Sequence, residues 1–350
     1  MLTKKKNKRS LAAVLLLMLL LALTSCGETE GSEPAGNDVP AVFTFQGEAI
    51  GLGEVYLYTL PVVEDYEKKY GTEVWNLEIG MEDGSKKTMR NVTRKDIIEN
   101  IVKVKVLDAK AADYNVALSD PEKQKAEEDT ESFWKNLTND QIDRMELSRD
   151  TVRACMEENL LARKVYDAIM DKAGIEISDE RARETTFFDL YFPTYKENIN
   201  GVAMPMDEKE KKEQYDKAVQ AYNTLISPLE ENTDRDPALV ASYYGLKDSN
   251  YYTLTPDEIR DTYGKEIGDM LYTLEDGSSS LVTETEYGYH VFYMKALTDR
   301  EATDRRKAKI EREEKNAYFS RLYTDWLKTI DPNYHYEDSV DFDLYYRIEF

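Results

Sequence analysis

Apolar side chains recur every three or four residues along several long segments of the chain, the pattern of helices that bury one face. The longest such stripes occupy residues 148–174 and 305–330. Shorter versions of the same pattern predict helices at residues 53–70, 207–225 and 237–244. Pro61 should kink or interrupt the first of these. Ser119 and Thr255, each followed by a glutamate three residues later, predict capped starts of two further helices.

Two segments of the first half carry a less direct pattern. Val102 to Val106 alternates apolar and basic residues as a strand would, but residues 94–114 contain no breaker and are far longer than a usual strand. We therefore predict a helix there. Residues 71–87, which contain Trp75 and the turn sequence Glu82-Asp83-Gly84, are interpreted as a loop.

After residue 180 the pattern changes, because β-branched and aromatic residues become frequent. Residues 185–192 predict a strand that Pro193 ends, residues 280–282 a short strand and residues 288–294 a closing strand. With the helices between them they form a compact α+β unit. The apolar face of the helix at 305–330 needs another partner, and we expect it to pack on the N-terminal helices. The predicted fold class is therefore α+β, with an α+β domain inserted into a helical domain.

The first 25 residues are typical of a secretory signal peptide. Five basic residues precede an unbroken apolar run from Leu11 to Leu23, which is too short to span a bilayer comfortably. Leu23-Thr24-Ser25 then leads to Cys26 and resembles a bacterial lipobox, whose cysteine receives the lipid and becomes the new N-terminus. An ordinary signal peptide with a chance cysteine is the alternative. We expect a lipidated Cys26, a flexible tether over residues 26–40, and a protein anchored on the extracytoplasmic face of the membrane.

Charge and motif content exclude several classes of function. The net charge is −23, and removal of the leader leaves 41 basic and 69 acidic residues, a net charge of −28. This acidity argues against binding of nucleic acid or anionic membranes through charge. The two histidines, His290 and His335, form no metal motif, and the chain has no phosphate loop, so we expect no metal or other cofactor. Once Cys26 is modified, Cys155 has no disulfide partner, and its helical flanks favour a buried structural thiol over a nucleophile.

Residues 274–291 resemble the last third of a parvulin-type peptidyl-prolyl isomerase domain. The resemblance lies in Leu274, the turn at Gly277 and the sequence Thr285-Glu286-Tyr287-Gly288-Tyr289-His290. Residues 41–180 resemble, mainly in pattern, the helical N-terminal domain of PrsA-type foldase lipoproteins and SurA-type chaperones. The resemblance implies a helical chaperone domain at 41–180, a parvulin-like domain at 181–298, and a C-terminal helix and tail at 299–350 that pack on the N-terminal domain.

The departures from this family concern its active site. Parvulin domains open with a strand whose histidine faces the closing-strand histidine, and here Asp189 is the expected occupant of that position. The family's Cys or Asp segment and its glycine-rich hairpin are also missing. By resemblance, the candidate catalytic residues are His290 and Asp189. The candidate substrate-binding residues are Tyr263, Ile267, Tyr272 and Tyr289. The alternative is that His290 is retained for strand and core packing.

The barrier to prolyl isomerisation is the partial double bond of the amide, so a catalyst has only to bind the twisted amide better than the planar forms. Loss of three family elements together should weaken that binding. We therefore expect a membrane-anchored folding factor that holds unfolded or partly folded secreted polypeptides, including proline-containing segments, with weak or lost isomerase activity. A fully active isomerase is the alternative. A solute-binding lipoprotein is disfavoured, because residues 41–180 lack the strands of a two-lobed binding protein. A homodimer is compatible with the sequence.

Overall fold

A computed structural model describes residues 40–227 and 236–350 of the chain. The chain divides into two compact units. Of the described residues, 40–175 and 315–350 form the helical unit, and those between 176 and 314 form the α+β unit. Cys26, the leader and nearly all of the expected tether lie outside the described residues.

The helical unit opens with short strands and five helices. In chain order these are β1 (Phe43–Phe45), β2 (Glu48–Ile50), α1 (Leu52–Tyr70), β3 (Glu78–Gly80), β4 (Lys86–Thr88), α2 (Met89–Ala109), α3 (Asp120–Trp134), α4 (Asn139–Arg144) and α5 (Arg149–Ala173). The α+β unit continues with α6 (Asp179–Ala182), β5 (Thr185–Pro193), β6 (Tyr195–Glu197), β7 (Ala203–Pro205), α7 (Glu208–Ile226), α8 (Pro237–Tyr244), β8 (Asn250–Leu254), α9 (Pro256–Tyr263), α10 (Lys265–Leu271), β9 (Thr283–Glu284), β10 (Gly288–Ala296) and the first half of α11 (Arg300–Ile330). The second half of α11, α12 (Tyr336–Ser339) and α13 (Phe342–Tyr345) belong to the helical unit.

Local capping signals place several helix ends where the sequence predicts them. At the start of α5, the backbone N–H of Thr151 donates to Ser148 Oγ over 3.0 Å, and the helix ends at Gly174, whose φ of +58° is a left-handed conformation that glycine adopts at little cost. The capping box at Ser119 is present, since Glu122 accepts from the backbone N–H of Ser119 over 2.7 Å. These ends depend on neighbouring residues only, which is why the sequence predicts them.

Three stretches of the helical unit differ from the prediction. Helix α1 continues through Pro61 without interruption, because the turns before it are buried and tertiary packing offsets the missing backbone hydrogen bond. Residues 71–87 are not a plain loop: they contain a 3₁₀ turn and the β3–β4 hairpin, whose short strands have no alternating pattern. Helix α2 starts at Met89 rather than Arg94, where the backbone N–H of Asn91 donates to Thr88 Oγ1.

The core of the helical unit combines residues far apart in sequence. Phe319 on α11 is fully buried and meets Tyr166 of α5 edge to face, with 5.2 Å between ring centres. Tyr345 near the C-terminus is also fully buried, and its hydroxyl donates to the carbonyl oxygen of Arg94 on α2 over 3.0 Å. Residues 315–350 are therefore part of this core.

The α+β unit contains an antiparallel sheet in the order β8-β5-β10-β9. Its central pair sets His290 opposite Tyr191 and Phe292 opposite Asp189. The predicted short strand at 280–282 is wrong in position, since β9 lies at Thr283–Glu284, and the polar edge strand β8 was not predicted. The predicted α+β class is confirmed.

The two faces of this sheet carry separate apolar clusters. One face packs Leu190 and Val291 against Ala218 and Leu225 of α7 and Val240 of α8. The other face packs residues of the central strands against α9 and α10, with a fully buried set of Phe187, Ile259, Leu271, Phe292 and Met294. Because side chains alternate along a strand, His290 shares the second face with Phe292, and its neighbours Tyr289 and Val291 share the first.

Candidate functional site

The backbones of β10 and β5 approach each other unusually closely at Gly288, two residues before His290. A Cβ atom at this position would lie 2.3 Å from the carbonyl oxygen of Phe192, a distance that no side chain tolerates. The glycine of the Gly-Tyr-His sequence is therefore needed for the strand pairing that carries His290 to the centre of the sheet.

His290 and Asp189 form a direct pair on the α9–α10 face of the sheet. The Nδ1 atom of His290 lies 2.9 Å from Oδ1 and 3.1 Å from Oδ2 of Asp189. The carboxylate can only accept, so Nδ1 carries the hydrogen. The hydroxyl of Tyr263, from the end of α9, donates to Oδ2 of Asp189 over 3.2 Å. The side chains of His290 and Asp189 are 9% and 7% exposed.

The second nitrogen of His290 is also hydrogen-bonded within the protein. Thr285 Oγ1 lies 3.1 Å from Nε2, in the turn before β10. This hydroxyl accepts from a doubly protonated imidazole, or gives its single hydrogen to a neutral one in place of the carbonyl oxygen of Gly288, which lies 3.2 Å away. Both ring nitrogens therefore have protein partners.

Two aromatic rings stack on the imidazole of His290. The ring of Tyr191 stacks on His290 with centres 4.9 Å apart, and that of Phe292 stacks with centres 5.5 Å apart. The hydroxyl of Tyr191 donates to the carbonyl oxygen of Tyr287 over 2.9 Å, which holds this ring in place. His290 thus has two stacked aromatic neighbours and a hydrogen-bond partner at each ring nitrogen.

Burial keeps the tyrosines of the site protonated. Removal from water and the nearby Asp189 carboxylate raise the pKa of Tyr263 far above its usual range, so its hydroxyl remains a donor. Removal from water, with the charges of Asp248 and Asp189, also raises the pKa of Tyr191. The arrangement therefore contains fixed donors and one acceptor carboxylate, and no residue activated as a nucleophile.

Of the four candidate substrate-binding residues, three lie on the same face of the sheet as His290 and one lies on the opposite face. Tyr263, Ile267 and Tyr272 all lie on the His290 face, packed against the cluster that contains Phe187 and Phe292. Tyr263 alone among them bonds Asp189 directly. Tyr272 lies towards the start of β5, where its ring is 5.9 Å from the guanidinium of Arg183.

Tyr289 is a correction to the predicted site. It follows Gly288 on β10, and its side chain lies on the opposite face from that of His290, against Tyr215 of α7 with 5.3 Å between ring centres. Because side chains alternate along a strand, the side chains of two adjacent residues cannot line the same face of the sheet. Adjacency to His290 in the sequence therefore does not place Tyr289 next to His290 in the site.

Two members of the site, Tyr191 and Thr285, were not singled out from the sequence. Tyr191 stands two residues after Asp189, so the period of a strand places both side chains on one face. Thr285 belongs to the sequence that resembles the parvulin pattern, but its contact with His290 depends on the turn between β9 and β10. The place of Tyr191 in the site could have been predicted by counting along the strand. The place of Thr285 could not, because it depends on the geometry of the turn.

The remaining candidates for chemistry lie elsewhere or are inert. Cys155 is buried in the helical unit, where removal from water raises the pKa of its thiol and so suppresses the reactive thiolate. His335 precedes α12 in the same unit. In the part of the chain that the structure describes, no group of three or more His, Cys, Asp or Glu side chains could hold a metal ion.

Comparison with known proteins relates the chain to one group of folding factors. It is 23% identical over 306 residues to foldase protein PrsA of a Clostridium perfringens type A strain, and the alignment covers 84% of both chains. A second foldase protein PrsA, from C. perfringens strain 13, is 22% identical with the same coverage. The predicted resemblance to PrsA-type foldases is confirmed. No established family model matches the chain.

The solved structures that match the chain include a PrsA and a SurA-like chaperone. The peptidyl-prolyl isomerase PrsA of Bacillus cereus is 15% identical, and the alignment covers 78% of this chain and 99% of that one, with a TM-score of 0.25. A SurA-like chaperone structure from Campylobacter jejuni, described with the proteins PEB4 and Cj1289, is 14% identical, with coverage of 71% and 94% and a TM-score of 0.25. TM-scores this low establish no common arrangement, so the relationship rests on the sequence alignment to PrsA.

Proposed function

We propose that the protein is an extracytoplasmic, lipid-anchored folding factor that holds unfolded or partly folded secreted polypeptides, and that its parvulin-like unit has weak or no isomerase activity. The similarity to foldase protein PrsA over 84% of the chain supports the general role. The closed network around His290 supports the second part. The single observation that carries it is that both ring nitrogens of His290 already have protein partners.

Weak turnover follows from the geometry of that network. A prolyl isomerase must favour the twisted amide over its planar forms, which takes polar groups that can reach the amide as it rotates. Here the imidazole is 9% exposed and bonded at Nδ1 and Nε2, and Tyr191 stacks over one side of it. Contact of His290 with a substrate amide would require the loss of one of these hydrogen bonds. A proline-containing segment could still bind by apolar contact with the partly buried Tyr263 and Ile267.

Attachment to the membrane is assigned to the lipid on Cys26. Among the described residues, no helix combines the length and the apolar character needed to cross a bilayer. The basic and apolar leader, followed directly by Cys26, supports export and lipidation. A single cysteine-linked lipid group with more than one acyl chain is enough for stable anchoring.

Two assays on one preparation test the proposed activity. The first measures aggregation of an unfolded secreted protein, and the second measures refolding of a protein limited by X-Pro isomerisation. We expect the chain to suppress aggregation and to accelerate refolding by less than about tenfold, since the groups around the amide are already occupied. His290→Ala should leave both results unchanged within error, provided that the variant remains folded.

The control for this substitution is His335→Ala, which removes the other histidine from the helical unit. Strong acceleration of refolding that His290→Ala abolishes and His335→Ala preserves would identify an active isomerase instead. A chain that neither suppresses aggregation nor accelerates refolding would overturn the folding-factor proposal as a whole.

Lipid anchoring is tested by Cys26→Ala in cells. The variant should either be released as soluble protein or accumulate as unprocessed precursor, while the wild-type chain sediments with membranes and incorporates labelled fatty acid. Fully processed, membrane-bound Cys26→Ala protein would contradict the assignment.

A further inference from the structure

A two-stranded hairpin projects from the sheet next to the His290 network. It consists of β6, β7 and the loop at residues 198–202, and we refer to residues 195–205 as the hairpin arm. Its base is fixed by two backbone hydrogen bonds, from Thr194 N–H to the carbonyl oxygen of Tyr287 over 3.0 Å and from Met206 N–H to that of Thr194 over 2.8 Å. The same carbonyl oxygen of Tyr287 accepts from the hydroxyl of Tyr191, the ring stacked on His290.

The tip of the hairpin arm has an internally hydrogen-bonded backbone. The Oδ1 atom of Asn198 accepts from the backbone N–H groups of Asn200 and Val202 over 2.9 and 3.1 Å, and Asn198 N–H donates to the carbonyl oxygen of Val202 over 2.9 Å. Gly201 supplies the left-handed turn, with φ of +72°. The turn is closed without any contribution from the side chains of Ile199 and Val202.

Those side chains are left in solvent. Ile199 is fully exposed and Val202 is 56% exposed, and Tyr195 and Met204 on the strands are 40% and 48% exposed. Single exposed apolar residues are normal on a soluble protein, but Ile199 and Val202 both stand in the short tip of the arm, an arrangement of the kind that marks an interaction site. The register of β6 on β7 places Tyr195 on one face of the arm and Met204 on the other. At its base the arm adjoins Tyr287, which is 61% exposed.

The charge on the arm indicates the chemistry of its partner. Lys196 is neutralised by an ion pair with Glu210 of α7, whereas the exposed Glu197 has no ion pair among the described residues. Glu286 adds a second exposed carboxylate beside the base of the arm. A second copy of this chain, whose net charge is −28 once the leader is removed, would be repelled, so the complementary occupant is a basic polypeptide rather than a homodimer partner.

We propose that the hairpin arm binds extended segments of client polypeptides in which apolar residues stand next to lysine or arginine. The inference rests on the proposed folding-factor function and names the class of client. The arm contains only two short strands, so each has an outer edge with which an extended segment can pair through backbone hydrogen bonds, independently of client sequence. The exposed apolar side chains and Glu197 then add the preference for apolar and basic residues.

Binding of labelled peptides to the full chain, followed by fluorescence anisotropy, tests this preference. The probes are a twelve-residue peptide that alternates leucine or tyrosine with lysine, the same peptide with glutamate for lysine, and one with serine for the apolar residues. We expect the first to bind at least about tenfold more tightly than the other two and to weaken as salt increases. Equal affinity for the lysine and glutamate peptides would overturn the charge preference.

Two variants locate the site. The double variant Ile199→Asp with Val202→Asp should weaken binding of the lysine peptide by about tenfold or more, since burial of each apolar side chain is lost. Its control, Leu239→Asp, removes a residue of the same unit that is 58% exposed on α8, and should leave binding unchanged. Glu197→Lys should reverse the preference between the lysine and glutamate peptides, whereas Glu266→Lys, an equal change of charge on α10, should not.

The aggregation assay separates this inference from the proposed function. If the wild-type chain and the double variant suppress aggregation equally and bind the lysine peptide equally, the hairpin arm is not the client site and the folding-factor role stands. If the wild-type chain has no effect on aggregation, both the proposed holding function and the inference about the hairpin arm fail.

Discussion

Each unit buries a group of polar side chains, and the two groups differ in the interactions that satisfy them. In the α+β unit, His290, Asp189, Tyr263 and Thr285 satisfy one another by hydrogen bonds. In the helical unit, the Nζ atom of Lys105 on α2 lies 3.1 Å from Glu54 of α1 and 2.8 Å from Glu158 of α5. A third carboxylate, Asp108, is one turn further along α2, and its Oδ1 atom is buried without a hydrogen-bond partner in the described structure.

The difference between these groups has electrostatic consequences. Burial lowers the pKa of Lys105, but its two carboxylate partners outweigh that effect and raise it overall, so the lysine remains charged. Burial and the charge of Glu158 raise the pKa of Asp108 to about 8, so this carboxyl is largely protonated at neutral pH. The helical unit thus contains a pH-sensitive core, whereas the polar groups around His290 form a closed set of direct bonds.

The largest effect should come from removing the C-terminal residues of the helical unit. A chain that ends at Glu314 loses Phe319, Tyr323, Tyr345 and Ile348, all buried in that core. Large-to-small changes at such positions cost about 2–5 kcal/mol each, so their combined loss exceeds the stability of a typical domain. We expect the helical unit to unfold and the α+β unit to remain folded.

The positions of the tryptophans make this measurable. All three, Trp75, Trp134 and Trp326, lie in the helical unit, and the shortened chain keeps the first two, so tryptophan emission reports that unit alone in both chains. The shortened chain should show a red-shifted emission and no cooperative urea transition, while amide exchange within β5 and β10 stays slow. A wild-type urea midpoint in the shortened chain would mean that residues 315–350 contribute nothing to this core.

Lys105→Met should be the most damaging single substitution in the buried ionic group. It leaves Glu54 and Glu158 buried close to each other without their cation, a change that costs about 3–5 kcal/mol for a buried pair. Tryptophan fluorescence in urea measures the loss in the helical unit. Lys123→Met, an exposed position on α3, is the control and should change the free energy of unfolding by less than about 0.5 kcal/mol.

Asp189→Ala should destabilise the α+β unit to a smaller extent. It leaves His290 Nδ1 and the Tyr263 hydroxyl buried without their acceptor, at a cost of about 2–4 kcal/mol. Asp189→Asn keeps an acceptor oxygen and should cost less. Amide exchange in β5 reports this unit, and an equal loss of stability for Ala and Asn would show that hydrogen bonding is not what Asp189 contributes.

Asp108→Asn should have the smallest effect, and its sign should depend on pH. The pKa of Asp108 is about 8 in the folded chain and about 4 in an unfolded one, so the folded state holds the extra proton and stability falls as pH rises from about 4 to 8. The asparagine variant has no such proton to lose. Relative to wild type, it should gain more than about 1 kcal/mol as pH rises from 5 to 8.5. The control Asp171→Asn, at an exposed position on α5, should show no such trend, and a constant difference across this range would exclude titration of Asp108.

Local sequence determined much of this molecule. The caps at Ser119, Ser148 and Thr255, the long helical stripes and the strand at 185–192 depend on neighbours within one or two turns, so their positions follow from pattern alone. The α+β class and the resemblance to PrsA-type foldases likewise followed from the order of the elements and the Gly-Tyr-His strand.

Tertiary structure decided what depends on residues far apart in the chain. The short strands β3, β4, β6, β7 and β8 exist because of their pairing partners and carry little pattern of their own. Asp189 and His290 are 101 residues apart, and whether their side chains bond each other is set by the register of β5 on β10. Alternation along β10 places the side chain of Tyr289 on the opposite face from that of His290, and the closing of the hairpin tip by Asn198 leaves Ile199 in solvent. A sequence states which side chains are available, and only the packed strands determine which of them face each other, because a shift of one residue exchanges the two faces of a strand.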